Sequence, residues 1–217
     1  MKAKICAVIT DLDLAAISAA EPLIDLFEVR IDLIGDRWPE VVRKLTKPWL
    51  ACNRLTAEGG RWDRTEAERK EQLLKSLEMG ASIVDLELAT PNLAPMVAAI
   101  KKKARCLISY HDFDGTPAAE ALKSIVERQL AAGADICKLV TSANSIDDNL
   151  RLLRLYSEFA AHKLVAFGMG EPGVLSRVLA QLAGAEFTYA ALETGRESAP
   201  GQMTVAQLAE IYHLLKT

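Results

Sequence analysis

Apolar and polar positions follow two alternating rhythms along this chain. Short runs rich in Val, Ile, Leu, Ala and Cys, spaced for extended backbone, recur at 4–10, 26–32, 49–54, 82–88, 105–111, 135–141, 164–169 and 187–192. Between them, apolar residues return every three or four positions at 12–20, 38–45, 65–79, 93–103, 117–132, 146–161, 172–183 and 205–215, the spacing of helices with one buried stripe. In the helix at 65–79, Ala67, Leu74 and Leu77 are the expected buried stripe among Glu, Arg and Lys. Gly80, Gly133 and Gly184 each follow a helix and precede an Ala and a strand, which suits left-handed C-terminal caps. Pro117 and Pro172 stand where first helical positions are expected, and Asp147 and Asp148 fall in a first turn, where the helix dipole favours anions. Eight strands in strict alternation with eight helices predict an α/β fold, a (β/α)8 TIM barrel forming a single domain over 1–217. An open doubly wound sheet would need a Gly-rich first turn, which this chain lacks.

Side-chain phase along the strands then locates a candidate site. Successive strand residues point to opposite faces, so in a barrel one phase faces the lumen and the other the helices. Phe27, Val29 and Ile31 form one phase; Glu28, Arg30 and Asp32 form the other. Val84, Leu86 and Leu88 oppose Asp85 and Glu87, Arg54 shares a phase with Cys52, and Ser109 shares one with His111. Lys138 shares a phase with Ile136 and Val140 in the largely apolar run 133–141. Five consecutive strands therefore aim ionisable groups at the C-terminal mouth, where barrel enzymes carry their active sites. Burying so many charges costs several kcal/mol each unless they are paired, and function is the usual reason for it. A desolvated Lys138 is expected to be partly neutral near pH 7 and nucleophilic toward ketones and aldehydes. His111, on the preceding strand, suits a general acid/base beside that amine. Asp32, Asp85 and Glu87 read as ion-pair partners that hold the others. His162 and His213 lie in or beside helices and are expected to face solvent.

Two loops join this set. Glu58, ahead of Gly59-Gly60, is placed to fix an imidazole tautomer. The small-residue segment 197–202, with Ser198 and Gln202, can act as a water-excluding lid.

Composition narrows the possibilities. A net charge of −3 gives no support for nucleic-acid binding. No apolar run reaches the roughly 18 residues needed to span a bilayer. No cleavable signal peptide is expected, since Met1-Lys2-Ala3-Lys4 leads straight into a strand. Cys6, Cys52, Cys106 and Cys137 each sit alone in a strand, which suits buried thiols in a reducing, cytoplasmic compartment rather than disulfides or zinc ligands.

Taken in order, several motifs resemble those of type I 3-dehydroquinate dehydratase, a Schiff-base enzyme of the shikimate pathway. They are Glu28-Val29-Arg30-Ile31-Asp32, Arg54 with Glu58-Gly59-Gly60, Asp85-Leu86-Glu87-Leu88, and Ser109-Tyr110-His111-Asp112-Phe113 through Thr116-Pro117. Gly133-Ala134-Asp135-Ile136 with Lys138, Met169-Gly170, Gly173 with Ser176-Arg177, and Ser198-Ala199-Pro200-Gly201-Gln202 complete them. The resemblance implies that Lys138 forms an imine with 3-dehydroquinate, that His111 is the general acid/base and that Glu58 positions it. It further implies that Glu28, Arg30 and Arg54 hold ring hydroxyls, and that Arg177, Ser198 and Gln202 clamp the substrate carboxylate. Met169 and Phe113 would be pocket wall. It implies a homodimer that needs no metal or cofactor. The alternative from the residues alone is a class I aldolase acting on another hydroxy-ketone, which should carry a phosphate site after strands 7 and 8. A non-catalytic binding barrel would have no use for a converging lysine, histidine and glutamate.

Overall fold

The structure is a computed structural model that describes residues 3–216. Eight parallel strands alternate with helices: β1 Ile5–Ile9, α1 Leu14–Ala20, β2 Leu26–Arg30, α2 Ile31–Ile34, α3 Trp38–Val42, β3 Trp49–Cys52, α4 Glu66–Glu78, β4 Ile83–Glu87 and α5 Leu93–Ile100. There follow β5 Arg105–Asp112, α6 Ala119–Ala131, β6 Ile136–Ser142, α7 Ile146–Glu158, β7 Leu164–Met169, α8 Val174–Ala183, β8 Thr188–Ala191 and α9 Val205–Leu214. The sheet order is β7-β6-β5-β4-β3-β2-β1-β8, a (β/α)8 barrel. Its seam lies between β7 and β8, which the Glu186 N–H bridges by donating to the Leu164 carbonyl and across which the Phe167 and Tyr189 rings meet edge to face.

Strand phase divides the interior into a lumen core and a helix-facing shell, and the shell has a second cluster of Leu122, Val126, Leu139, Leu152 and Leu155. Phe27, Val29, Ile31, Leu86 and Ile108 face the helices and pack with Trp38, Leu73 and Ile100. Cys6, Leu26, Leu50, Ile83, Leu107, Ile136, Val165 and Phe187 fill the lumen floor. Each fully buried aliphatic or aromatic side chain contributes about 1.5–3 kcal/mol relative to exposure. This dry floor leaves the ionisable residues of the same phase stacked above it, toward the mouth.

Local signals explain the boundaries. Thr65, Ser145 and Thr204 each open a helix with a reciprocal capping box, to Glu68, Asp148 and Gln207. Gly80, Gly133 and Gly184 take left-handed φ of 89°, 94° and 112°, as their caps require. Some boundaries differ from the sequence reading. Strand β2 stops at Arg30, so Asp32 sits in the one-turn helix α2, and β3 stops at Cys52, so Arg54 lies just past the ladder. Strands β5 and β6 each run one residue further, to Asp112 and Ser142. Pro117 precedes the α6 N-cap, Ala118, and Pro172 lies in a 3-10 turn before α8. The buried stripe of α4 is Arg69, Leu73, Ser76 and Leu77; Ala67 and Leu74 face outward. Arg69 is the cause: it reaches inward to Glu87, which rotates the helix away from the purely apolar stripe. His162 and His213 are exposed. All four cysteines are buried and unpaired. Among the described residues, no helix is long and apolar enough to cross a membrane.

Candidate active site

At the C-terminal mouth lies a cavity of about 200 Å³. Its walls include every residue that the sequence marked as catalytic or substrate-binding: Glu28, Arg30, Arg54, Glu58, His111, Phe113, Lys138, Met169, Arg177, Ser198 and Gln202. Asp32, Asp85 and Glu87 stand behind them.

Lys138 is buried in β6, with its ammonium nitrogen 3.2 Å from Asp85 Oδ2, 3.6 Å from Glu28 Oε2 and 4.5 Å from the centre of the Tyr189 ring. Burial alone would pull its pKa down, but Glu28 and Asp85 together outweigh burial and hold it above the ordinary lysine value. This departs from the expectation of a partly neutral amine: the two carboxylates favour the ammonium form of Lys138. The two carboxylates that reverse the shift come from β2 and β4, which is why the run around Lys138 did not reveal it.

Asp85 is the hub. Arg54 Nη2 donates to its Oδ2 at 2.5 Å and the Ser109 hydroxyl donates to its Oδ1 at 2.6 Å. Arg54 and Lys138 hold the Asp85 carboxyl well below the usual carboxylate range despite complete burial. Arg54 Nη1 also lies 3.1 Å from Glu87 Oε1, whose other oxygen accepts from Arg69 Nη1 at 2.7 Å. Arg30 lies flat against Asp32 in a two-pronged pair, at 2.9 and 2.7 Å, and Asp32 also accepts the Arg61 N–H. Glu28, Cys52 and Asp85 offer ligand atoms within 4.8 Å of one another, but a divalent ion there would have to displace two cations, Lys138 and Arg54, from Asp85.

His111 Nδ1 lies 2.8 Å from Glu58 Oε2. Burial, reinforced by Arg54 and Lys138, pushes His111 well below its ordinary pKa, so the ring is neutral. Burial raises Glu58 to about 7. With Glu58 ionised, His111 donates Nδ1–H to it and presents a basic Nε2 to the cavity. Phe113 stacks on His111, with ring centres 6.4 Å apart and planes 17° apart. Gly59 makes room for it: a Cβ there would lie 2.5 Å from Phe113 Cζ.

On the opposite wall, the Arg177 guanidinium sits 4.4 Å over the Phe167 ring and donates to the Pro200 carbonyl at 3.3 Å. Its Nε is buried without a partner, and burial lowers its pKa to about 10. Gln202 Oε1 accepts from Ser198 N–H at 2.8 Å and the Ser198 hydroxyl at 3.1 Å, which folds 197–202 into a closed turn.

A sequence model of the type I 3-dehydroquinase family matches residues 5–217. The chain belongs to that family. A 3-dehydroquinate dehydratase of Dehalococcoides mccartyi is 46% identical over 208 residues, covering 96% of this chain and 94% of the relative. The solved 3-dehydroquinate dehydratase of Geobacillus kaustophilus superposes with a TM-score of 0.87 at 26% identity, covering all of this chain and 92% of that one. The type I 3-dehydroquinate dehydratase of Clostridium difficile, solved with covalently modified comenic acid, gives 0.86 at 26% identity, with coverages of 99% and 92%.

Four side chains around this site were given no role by the sequence reading. Tyr189 and Phe167 line the cavity as ring faces against Lys138 and Arg177, and nothing in an apolar run distinguishes such rings from core. Arg69 reads as an outer-helix charge until Glu87 is placed beneath it. Ser109 was visible only as a small residue in the lumen phase, and its link between Arg54 and Asp85 spans three strands.

Proposed function

We propose that this protein removes water from 3-dehydroquinate to give 3-dehydroshikimate, through an imine on Lys138. The observation that carries this reading is the placement of Lys138 in a family barrel, at the buried end of a cavity that also holds a neutral imidazole with its orienting carboxylate. Arg177, a buried cation without a carboxylate partner, suits the substrate's own carboxylate, with Ser198 and Gln202 as the closing turn. Glu28, Arg30 and Arg54 suit the ring hydroxyls. When those hydroxyls donate to Glu28, its hold on the Lys138 ammonium weakens and the amine can lose a proton. The free amine adds to the ketone, and the carbinolamine hydroxyl takes back the proton the ammonium released and leaves as water, giving an iminium, a strong electron sink. His111 takes the adjacent C–H proton and an enamine forms. The β-hydroxyl leaves with that proton as water, and a further water hydrolyses the iminium to release product and amine. General acid/base help of this kind contributes roughly 10²–10⁴ in rate.

The aldolase alternative needs a phosphate cradle beyond β7 and β8, whereas Arg177 faces a cavity shaped with a carboxylate turn. We further infer that the whole chain acts as one catalytic unit, in aromatic amino acid biosynthesis in the cytoplasm, as a homodimer. Its four unpaired, buried thiols suit a reducing compartment.

Two measurements test the reading. Ultraviolet absorbance of a conjugated enone should grow with 3-dehydroquinate and stay flat with Lys138→Ala, whose circular dichroism should match the wild type. Borohydride added with substrate should increase the mass of the peptide that carries Lys138. An unmodified peptide from an active, borohydride-treated sample would reject the imine.

A further inference from the structure

Ser109 lies at the centre of β5, fully buried, opposite Lys138 in the β5–β6 register and opposite Glu87 in the β4–β5 register. It does not line the cavity. Its bonding is dictated by its neighbours. A guanidinium has no acceptor atom, so Arg54 Nη1, 2.6 Å away, must donate to the Ser109 oxygen. The single hydroxyl proton then has two acceptors in reach: Asp85 Oδ1 at 2.6 Å and the Leu86 carbonyl at 3.4 Å. The nearer, charged oxygen takes it. Arg54 Nη2 binds Asp85 Oδ2 from the other side, so guanidinium, hydroxyl and carboxylate close a ring. The Asp85 carboxylate is thereby locked in rotation, with Oδ2 presented to Lys138.

We propose that Ser109 is a positioning residue for the reaction, aiming and damping the Asp85 carboxylate so that Lys138 is held in place without being held too tightly to its proton. The inference rests on the imine reading given above. Its physical content is a balance. Lys138 is faced by Glu28 on β2, Cys52 on β3 and Arg54 just beyond it, Asp85 on β4, His111 on β5, Cys6 on β1 and Tyr189 on β8. Of these, Glu28 and Asp85 favour the ammonium, while Arg54 opposes it. Substrate hydroxyls can occupy Glu28, but Asp85 is sealed behind the wall and no ligand reaches it. The carboxylate charge that substrate cannot quench must be spread by the protein, and the Ser109 hydroxyl is one of the donors that spread it. Without that donor, more negative charge remains on Asp85, the amine surrenders its proton at higher pH, and imine formation lags.

The test is the pH dependence of borohydride trapping on the full chain with 3-dehydroquinate, read as the initial rate of mass gain on the Lys138 peptide. Ser109→Ala should move the half-maximal pH up by about one unit. Its kcat should drop roughly 10-fold at neutral pH, with KM changed far less. Ser109→Thr, which keeps the hydroxyl, should return the curve toward the wild-type position. Thermal melts check the fold, and Ser109→Cys, of similar volume but a weak donor, is read in the same way if the alanine variant does not fold. A trapping curve for the alanine or cysteine variant that superimposes on the wild type overturns the inference, as does a loss carried wholly by KM. Wild-type enzyme that gives no adduct at Lys138 would instead overturn the imine reading beneath it.

Discussion

The Glu58–His111 pair takes up one further proton near pH 7, and that uptake decides whether the imidazole is a base. Above about 7 Glu58 is ionised, accepts from Nδ1–H and leaves Nε2 free; below it Glu58 is protonated and donates to Nδ1, so the ring proton sits on Nε2. The log of kcat/KM should therefore steepen as pH falls below about 7, and Glu58→Gln should remove that steepening while lowering the plateau roughly 10²-fold. The same carboxyl bears on stability. Its folded pKa lies above the unfolded value of about 4.5, so folding takes up a proton between those values and stability falls as pH rises from about 4.5 to 7. Wild-type melting temperature should decline across that window more than that of Glu58→Gln, by an amount equivalent to at most roughly 3 kcal/mol. Arg177 calls for a different readout. Its planar fork is held by the Phe167 face and the Pro200 carbonyl, and it lacks an anion. Arg177→Lys keeps the charge and loses the fork, so KM should rise about 10-fold or more with a smaller change in kcat.

At the scale of elements, the barrel positions these side chains through loops that tolerate no extra atoms. A Cβ on Gly60 would collide with the Arg54 carbonyl, which joins the end of β3 to the turn carrying Glu58. Gly60→Ala should lower stability by roughly 1–3 kcal/mol and cut activity with it. Gly80 has open space around it, so Gly80→Ala should cost only its left-handed conformation, about 1 kcal/mol, and leave kcat unchanged; a melt and a rate on each variant decide. Much of this layer was legible in the sequence. Alternation marked all eight strands, and the phase of Glu28, Arg54, Asp85, His111 and Lys138 marked the mouth. What stayed hidden depends on partners distant in sequence. The stripe of α4 was misjudged because its deepest member is Arg69, charged and paired to Glu87. The ionisation of Lys138 was misjudged because Glu28 and Asp85, the latter 53 positions away, together outweigh the effect of burial. Periodicity reports which face is buried and is silent on what a charge finds there.

For the whole molecule, large apolar side chains are exposed on α1, α4 and α9, at Leu14, Leu74 and Leu214, and in a group of four where α7 and α8 pack side by side. There Ile146, Leu150, Leu175 and Leu182 are exposed, Ile146 by 65%. If the protein dimerises as proposed, this face is the expected contact. Light scattering should then give about twice 23.7 kDa, and the double substitution Leu175→Glu with Leu182→Glu should return the single-chain mass. A dimer that survives those changes rejects this face.

The missing ladder between β7 and β8 makes the barrel a split ring. Seven of its neighbouring strand pairs are stitched along their length, while the remaining pair meets through Glu186 below and, above, through the Gly170 N–H donating to the Pro200 carbonyl. Arg177 and the Ser198 turn attach beside that slit, so a ligand gripped there draws its two edges together. Deuterium uptake along β7, β8 and the turn should slow once the borohydride adduct has formed, while β4 and β5, stitched on both sides, stay as they were.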